Sequence, residues 1–215
     1  MFRVVVMTVL LTAFCAAGVE EPDRWEKDIR AFEEADRVSP PAPDGILFTG
    51  SSTARMWDLK RDFPDLPAVN RGFGGSSFAD LVRHADRILA AHRPRVVVVY
   101  SGDNDIAGGA PPEEVFRNFE QFAEKNHTLR PKARLVVFSI KASTARWAQF
   151  PAMEEVNGKI RDWAEERDWA VFVDTKPVML GEDGQPRADL YLSDGLHMNP
   201  EGYRRWAELL RPHLD

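Results

Sequence analysis

The sequence predicts an α/β protein folded as a three-layer α/β/α sandwich around a five-stranded parallel sheet. Five short apolar runs rich in β-branched residues punctuate the chain, at Ile46 to Thr49, Ala68 to Asn70, Arg95 to Ser101, Arg134 to Ile140 and Trp169 to Asp174, each of strand length. Helical patterns alternate with them, as in βαβ units. Runs such as Val96 to Val99 are apolar on both faces, as strands covered by helices on both sides must be. A length of 215 residues suits one such domain and leaves little for a second.

Taken in order, the chain opens with Arg3, an apolar run from Val4 to Phe14 and the small residues Ala16, Ala17 and Gly18, which is the grammar of a cleaved signal peptide over residues 1–17. The run is shorter than the ~20 apolar residues that span a bilayer. Glu20, Glu21 and Asp23 follow at once, so the expectation is export to the periplasm or the medium with no membrane span after cleavage. Cys15 is the sole cysteine, which excludes a disulfide framework, and bulky Phe14 before it disfavours acylation. Residues 18–44 read as an amphipathic helix, with Trp25, Ile29 and Phe32 at helical spacing, and a proline-rich connector from Ser39 to Asp44. Residues 45–215 hold the α/β domain. There the first strand leads into a helix containing Met56, Trp57 and Leu59. Phe78, Leu81, Val82, Ala85, Ile88 and Leu89 form one helical stripe, and Val115, Phe116, Phe119 and Phe122 repeat it. Glu154 to Arg167 make a further helix, and Pro200 starts a last one through Leu210.

A net charge of −6 argues against a nucleic-acid partner, since phosphate recognition needs a basic surface. Ligands of open α/β sheets collect beyond the carboxyl ends of the strands, so the polar residues there are the candidates. Gly50-Ser51-Ser52-Thr53 ends the first strand. A serine at a helix start is either a plain N-cap or a nucleophile aided by the positive helix end. Asn70-Arg71-Gly72-Phe73-Gly74-Gly75-Ser76-Ser77 follows the second strand, and it lacks both the third glycine of a dinucleotide fingerprint and the Lys of a phosphate loop. It is either a structural turn or a source of backbone donors for an oxyanion. Ser101-Gly102-Asp103-Asn104-Asp105 follows four valines, and an Asn there offers an uncharged donor. Asp194 and His197, three residues apart, would share one face of a helical turn, with the carboxylate fixing the imidazole tautomer.

The other histidines offer less. His84, His92 and His127 fall on helical stretches among Arg and Lys and are expected to be solvated, while His213 is near the end. None makes a metal-binding spacing. Asp103, Asp105, Asp194 and His197 form an alternative hard-metal set for phosphoester hydrolysis. Asp174 is either a triad acid or a capping group.

Taken jointly, Ser52, Gly75, Asn104 and His197, in that chain order, resemble the SGNH hydrolases, also called the GDSL esterase family. The resemblance spans roughly Ile46 to Leu210, and Ser51 stands where the family usually has Asp. It implies a flavodoxin-like fold, Ser52, Asp194 and His197 as catalytic residues, and Ser52, Gly75 and Asn104 as the oxyanion hole. No metal or organic cofactor is implied. Ser51, Phe73, Asp103 and Trp147 are expected at the substrate. The expected activity is hydrolysis of short acyl esters, acetyl first, on a small alcohol or an acetylated carbohydrate. Lysophospholipase, thioesterase, metal-dependent phosphoesterase and a non-catalytic glycan-binding module are the competing readings. Oligomeric state is not legible.

Overall fold

A computed structural model describes residues 23–214, so the leader at residues 1–17 lies outside the described residues. Strands β1 (Ile46–Gly50), β2 (Ala68–Gly72), β3 (Val96–Tyr100), β4 (Arg134–Phe138) and β5 (Ala170–Val173) form one sheet in the order β2-β1-β3-β4-β5, every pair parallel. This is the flavodoxin-like order. The chain leaves β1 for β2 on one side and returns to β3 on the other, so the topological switch falls beside β1. Gly50 is level with Gly72 of β2 and with Tyr100 of β3, and this register makes three loops leave the sheet at one height.

Alternation along the strands divides the core. Leu47, Val97, Val99, Leu135 and Val137 face one side, packed under helices α1 (Glu26–Val38), α4 (Phe78–Leu89), α6 (Pro112–Leu129) and α7 (Phe150–Glu165). Phe48, Val98, Val136 and Phe138 face the other, against α9 (Pro200–Leu210) and the short helices α2 (Ser52–Arg55), α3 (Leu59–Asp62) and α8 (Lys176–Met179). The short α5 (Asp103–Ala107) follows β3. Trp206 anchors the second face, fully buried and stacked on Phe138 with ring centroids 4.6 Å apart.

Several expectations need correction. The helix expected through Met56 to Leu59 is broken into α2 and α3. Asp58 caps a new helix, its Oδ1 accepting from Arg61 N at 3.1 Å, and Trp57 turns into the core to donate to Asp62 at 2.9 Å. Helix α7 starts earlier than Glu154, because Pro151 suits a first turn. His84 and His92 are buried rather than solvated, beside Asp23 at 3.1 Å and Asp36 at 3.0 Å. The stripe that buries Leu81, Ala85 and Ile88 also takes in His84. Among the described residues no helix is long and apolar enough to cross a membrane.

Candidate active site

The first strand ends against its neighbour with no room for a side chain. A Cβ on Gly50, where φ is +131°, would lie 1.9 Å from the Tyr100 carbonyl oxygen. The chain turns there, Ser51 N donates to Tyr100 O at 2.9 Å, and Ser52 becomes the first residue of α2. Its hydroxyl emerges at the carboxyl edge of the sheet.

The last loop brings the imidazole to that hydroxyl. His197 Nε2 lies 2.9 Å from Ser52 Oγ, and Nδ1 lies 2.7 Å from Asp194 Oδ2. The segment is not the helical turn that the spacing suggested. Asp194 Oδ1 instead accepts from the backbone N–H of Leu196 and of His197, each at 2.9 Å, so one carboxylate both folds the loop and meets the ring. The His197 hydrogen bond and these backbone donors pull the Asp194 carboxyl down to about 2. The loop is also fixed from outside: Gly195 O accepts from Thr144 Oγ1 at 2.9 Å and Ala145 N at 3.0 Å.

Two further loops complete the rim. Asn104 donates from Nδ2 to Ser76 O at 3.0 Å, with one amide hydrogen left over, and its Oδ1 accepts from Arg146 Nη2 at 3.0 Å. Among the described residues, the backbone N–H groups of Ser52 and Gly75 have no acceptor. Ser52, Gly75, Asn104 and His197 line one cleft of about 490 Å³, together with Asp28, Arg55, Gly74, Arg146 and Leu196. A larger groove of about 620 Å³ runs between α3 and α9, lined mostly by Arg and Glu, and holds no nucleophile.

None of the four residues expected at the substrate lines the cleft. Ser51 is fully buried, because the turn after Gly50 points its side chain inward, and its Oγ is without a partner. Phe73 is also fully buried, edge-on to Trp25 with centroids 5.9 Å apart, and belongs to the core. Trp147 stacks on Phe150 at 5.0 Å and does not line the cleft. Asp103 lies beneath the rim, buried. Asp174 lies just before α8, its Oδ1 accepting from Lys176 N at 2.9 Å.

Under the rim lies a group that periodicity did not single out. Lys141, 1% exposed, places Nζ 3.1 Å from each of Asp103 Oδ2, Tyr100 Oη and Thr53 Oγ1. Arg146 Nη1 approaches the same Asp103 oxygen at 3.1 Å. Burial pushes the Asp103 carboxyl up, but Lys141 and Arg146 outweigh it and hold the group below its ordinary value. Burial also lowers Lys141. Asp105 faces the other way, its Oδ1 accepting from Phe78 N at 3.0 Å, and burial raises it to about 6. Asp103, Asp105 and Asp194 are thus each committed to different partners, and among the described residues no three or more His, Cys, Asp or Glu side chains converge as metal ligands would.

The fold has counterparts among known structures. No curated protein matches the sequence significantly. Among solved structures, a Streptococcus pneumonia protein provisionally described as a platelet activating factor is 23% identical and superposes with a TM-score of 0.80, over 88% of this chain and 92% of its own. A GDSL-like lipase from Bacteroides thetaiotaomicron is 19% identical with a TM-score of 0.73, over 86% of this chain and 96% of its own. A carbohydrate esterase family 3 protein from Talaromyces cellulolyticus is 17% identical with a TM-score of 0.60, over 79% and 95%. These likenesses concern the fold. In sequence, the model of the GDSL-like Lipase/Acylhydrolase family matches residues 44–205, which takes in every strand and all four rim segments. The chain therefore belongs to the GDSL-like lipase/acylhydrolase family of hydrolases.

Proposed function

We propose that the protein is a serine esterase acting on short acyl esters, acetyl foremost, with Ser52 as nucleophile. The observation that carries this is the continuous chain from Ser52 Oγ through His197 to Asp194, at 2.9 and 2.7 Å. In this reading His197 Nε2 takes the Ser52 proton as Oγ attacks the ester carbonyl, and Asp194 holds the Nδ1–H tautomer and stabilises the imidazolium. The carbonyl π pair moves onto oxygen. That oxyanion meets the N–H groups of Ser52 and Gly75 and the remaining Asn104 amide hydrogen, each such donor worth about 3 kcal/mol. His197 then protonates the leaving alcohol, and water, deprotonated by His197, releases the acid and restores Ser52.

The preference for a short acyl group follows from the lining. Leu196 is the one sizeable apolar side chain among the described residues around the cleft. Each methylene of a longer acyl chain gains about 0.8 kcal/mol only if it is buried against apolar surface, and the lining offers little. An acetylated carbohydrate is a suitable alcohol portion for such a polar cleft.

Hydrolysis of p-nitrophenyl acetate tests the reading. Ser52→Ala should abolish turnover while Ser51→Ala, a core position, leaves the Ser52–His197 pair in place and retains it. Equal rates for wild type and Ser52→Ala would mean a binding module or another chemistry, and loss with Ser51→Ala alone would move the nucleophile. A p-nitrophenyl series should show kcat/KM falling from acetyl to octanoyl.

A further inference from the structure

The mouth of the cleft carries more positive charge than ester hydrolysis needs. The chain as a whole is acidic, with a net charge of −6. Yet Arg55 and Arg146 line the cleft, and Arg24 reaches it from the start of α1. Two of these guanidinium groups border the same stretch of backbone. A Cβ built on Gly74 would lie 2.9 Å from Arg55 Nε and 3.2 Å from its Nη2, and one on Gly75 would lie 2.9 Å from Arg24 Nη2. Both cations therefore border the Gly74–Gly75 backbone that lines the cleft with His197.

Many arginines elsewhere are taken up by acids, whereas these two are not. Arg87 binds Glu26 and Glu33, Arg204 binds Glu201 and Glu208, and Arg71 binds Asp36. Arg146 is engaged by Asp103 and Asn104. The Arg55 guanidinium makes no ion pair or hydrogen bond among the described residues, and Arg24 is held there by stacking over the Trp25 ring, 4.2 Å from its centroid. Stacking occupies the face of a guanidinium and leaves its N–H edge available. Among the described residues the acids nearby do not neutralise them: Asp194 is bound to His197, Asp103 is buried with Lys141, and Asp28 lines the cleft without coming within 4.0 Å of either guanidinium.

We propose that the cleft selects esters whose non-reacting portion carries a carboxylate or a phosphate, received by Arg55 and Arg24 beside Gly74 and Gly75. This rests on the serine-esterase reading and adds the substrate class to it. The planar guanidinium fork matches both anions in bidentate geometry, and a cleft in which Arg24, Arg55 and Arg146 outnumber Asp28 attracts anionic ligands.

The test is acetate release from acetylated glucuronic acid, acetylated glucose 6-phosphate and acetylated glucose, with p-nitrophenyl acetate as the uncharged reference. At low salt, at least one anionic ester should exceed the neutral sugar ester by about tenfold in kcat/KM, mainly through KM, and the two anionic arms separate carboxylate from phosphate. That ratio should shrink towards parity at about 0.5 M salt, and it should fall by about tenfold in the Arg24→Gln, Arg55→Gln double variant. The salt series on wild type stands even if the variant folds poorly. Parity at low salt, or a preference that neither salt nor the variant alters, overturns the proposal while p-nitrophenyl acetate turnover keeps the esterase reading. No turnover of any ester by the wild type overturns both.

Discussion

Replacing Asp105 by Asn should alter how stability depends on pH. The side chain is 7% exposed and accepts from Phe78 N at 3.0 and 3.3 Å, a bond that the Asn amide oxygen can keep. Burial raises this carboxyl from an ordinary 3.8 to about 6, which corresponds to about 3 kcal/mol. The folded protein then holds a proton that the unfolded chain releases across this interval. Burial of Asp105 is accordingly without penalty below pH 3.8, and the full penalty of about 3 kcal/mol is present once pH has risen past about 6. The assay is urea unfolding of both proteins between pH 4 and pH 8. Subtraction cancels the titrations the two share, and the variant's stability relative to wild type should grow by about 2 to 3 kcal/mol across that range. A difference that stays flat, or one that shrinks as pH rises, would refute the argument that desolvation dominates at this carboxyl.

Asn104→Ala should lower kcat by about 100-fold to 1000-fold with little change in KM if, as proposed, the amide meets charge that exists only in the transition state; an effect confined to KM would contradict that role. Asp194→Asn should lower kcat at pH 8 by about 100-fold or more, because the carboxyl, held down to about 2, is ionised at every working pH; activity within tenfold of wild type would contradict it. Lys141→Met should cost about 3 to 5 kcal/mol in urea unfolding, because it removes one of two cations from a buried carboxylate, and a loss below about 1 kcal/mol would show that Arg146 alone satisfies Asp103.

Much of this architecture is legible in the residues. Val96 to Val99 could hardly be anything but a central parallel strand, and the Phe78 to Leu89 stripe marks its helix to the residue. The four rim segments are identifiable because each follows a strand or closes the last loop, and the fold brings them to one edge. What escapes is burial of charge. A lysine just past a strand reads as solvated, and nothing in the pattern shows that Lys141 points inward at Asp103, a partner 38 residues away. The same blindness hides His84 and His92, whose acidic partners Asp23 and Asp36 lie on or before another helix. The break after α2 is recoverable, since Asp58 three residues before Arg61 is a capping signal that the run of Met56, Trp57 and Leu59 obscures.

The hydroxyl and the imidazole that meet at the rim are 145 residues apart in the chain. A ribosome releases the first of them long before the second exists. A nascent or truncated polypeptide can complete most of the sheet and still lack the base, so the proposed hydrolysis requires that synthesis has passed His197 and that the last loop has closed on Ser52.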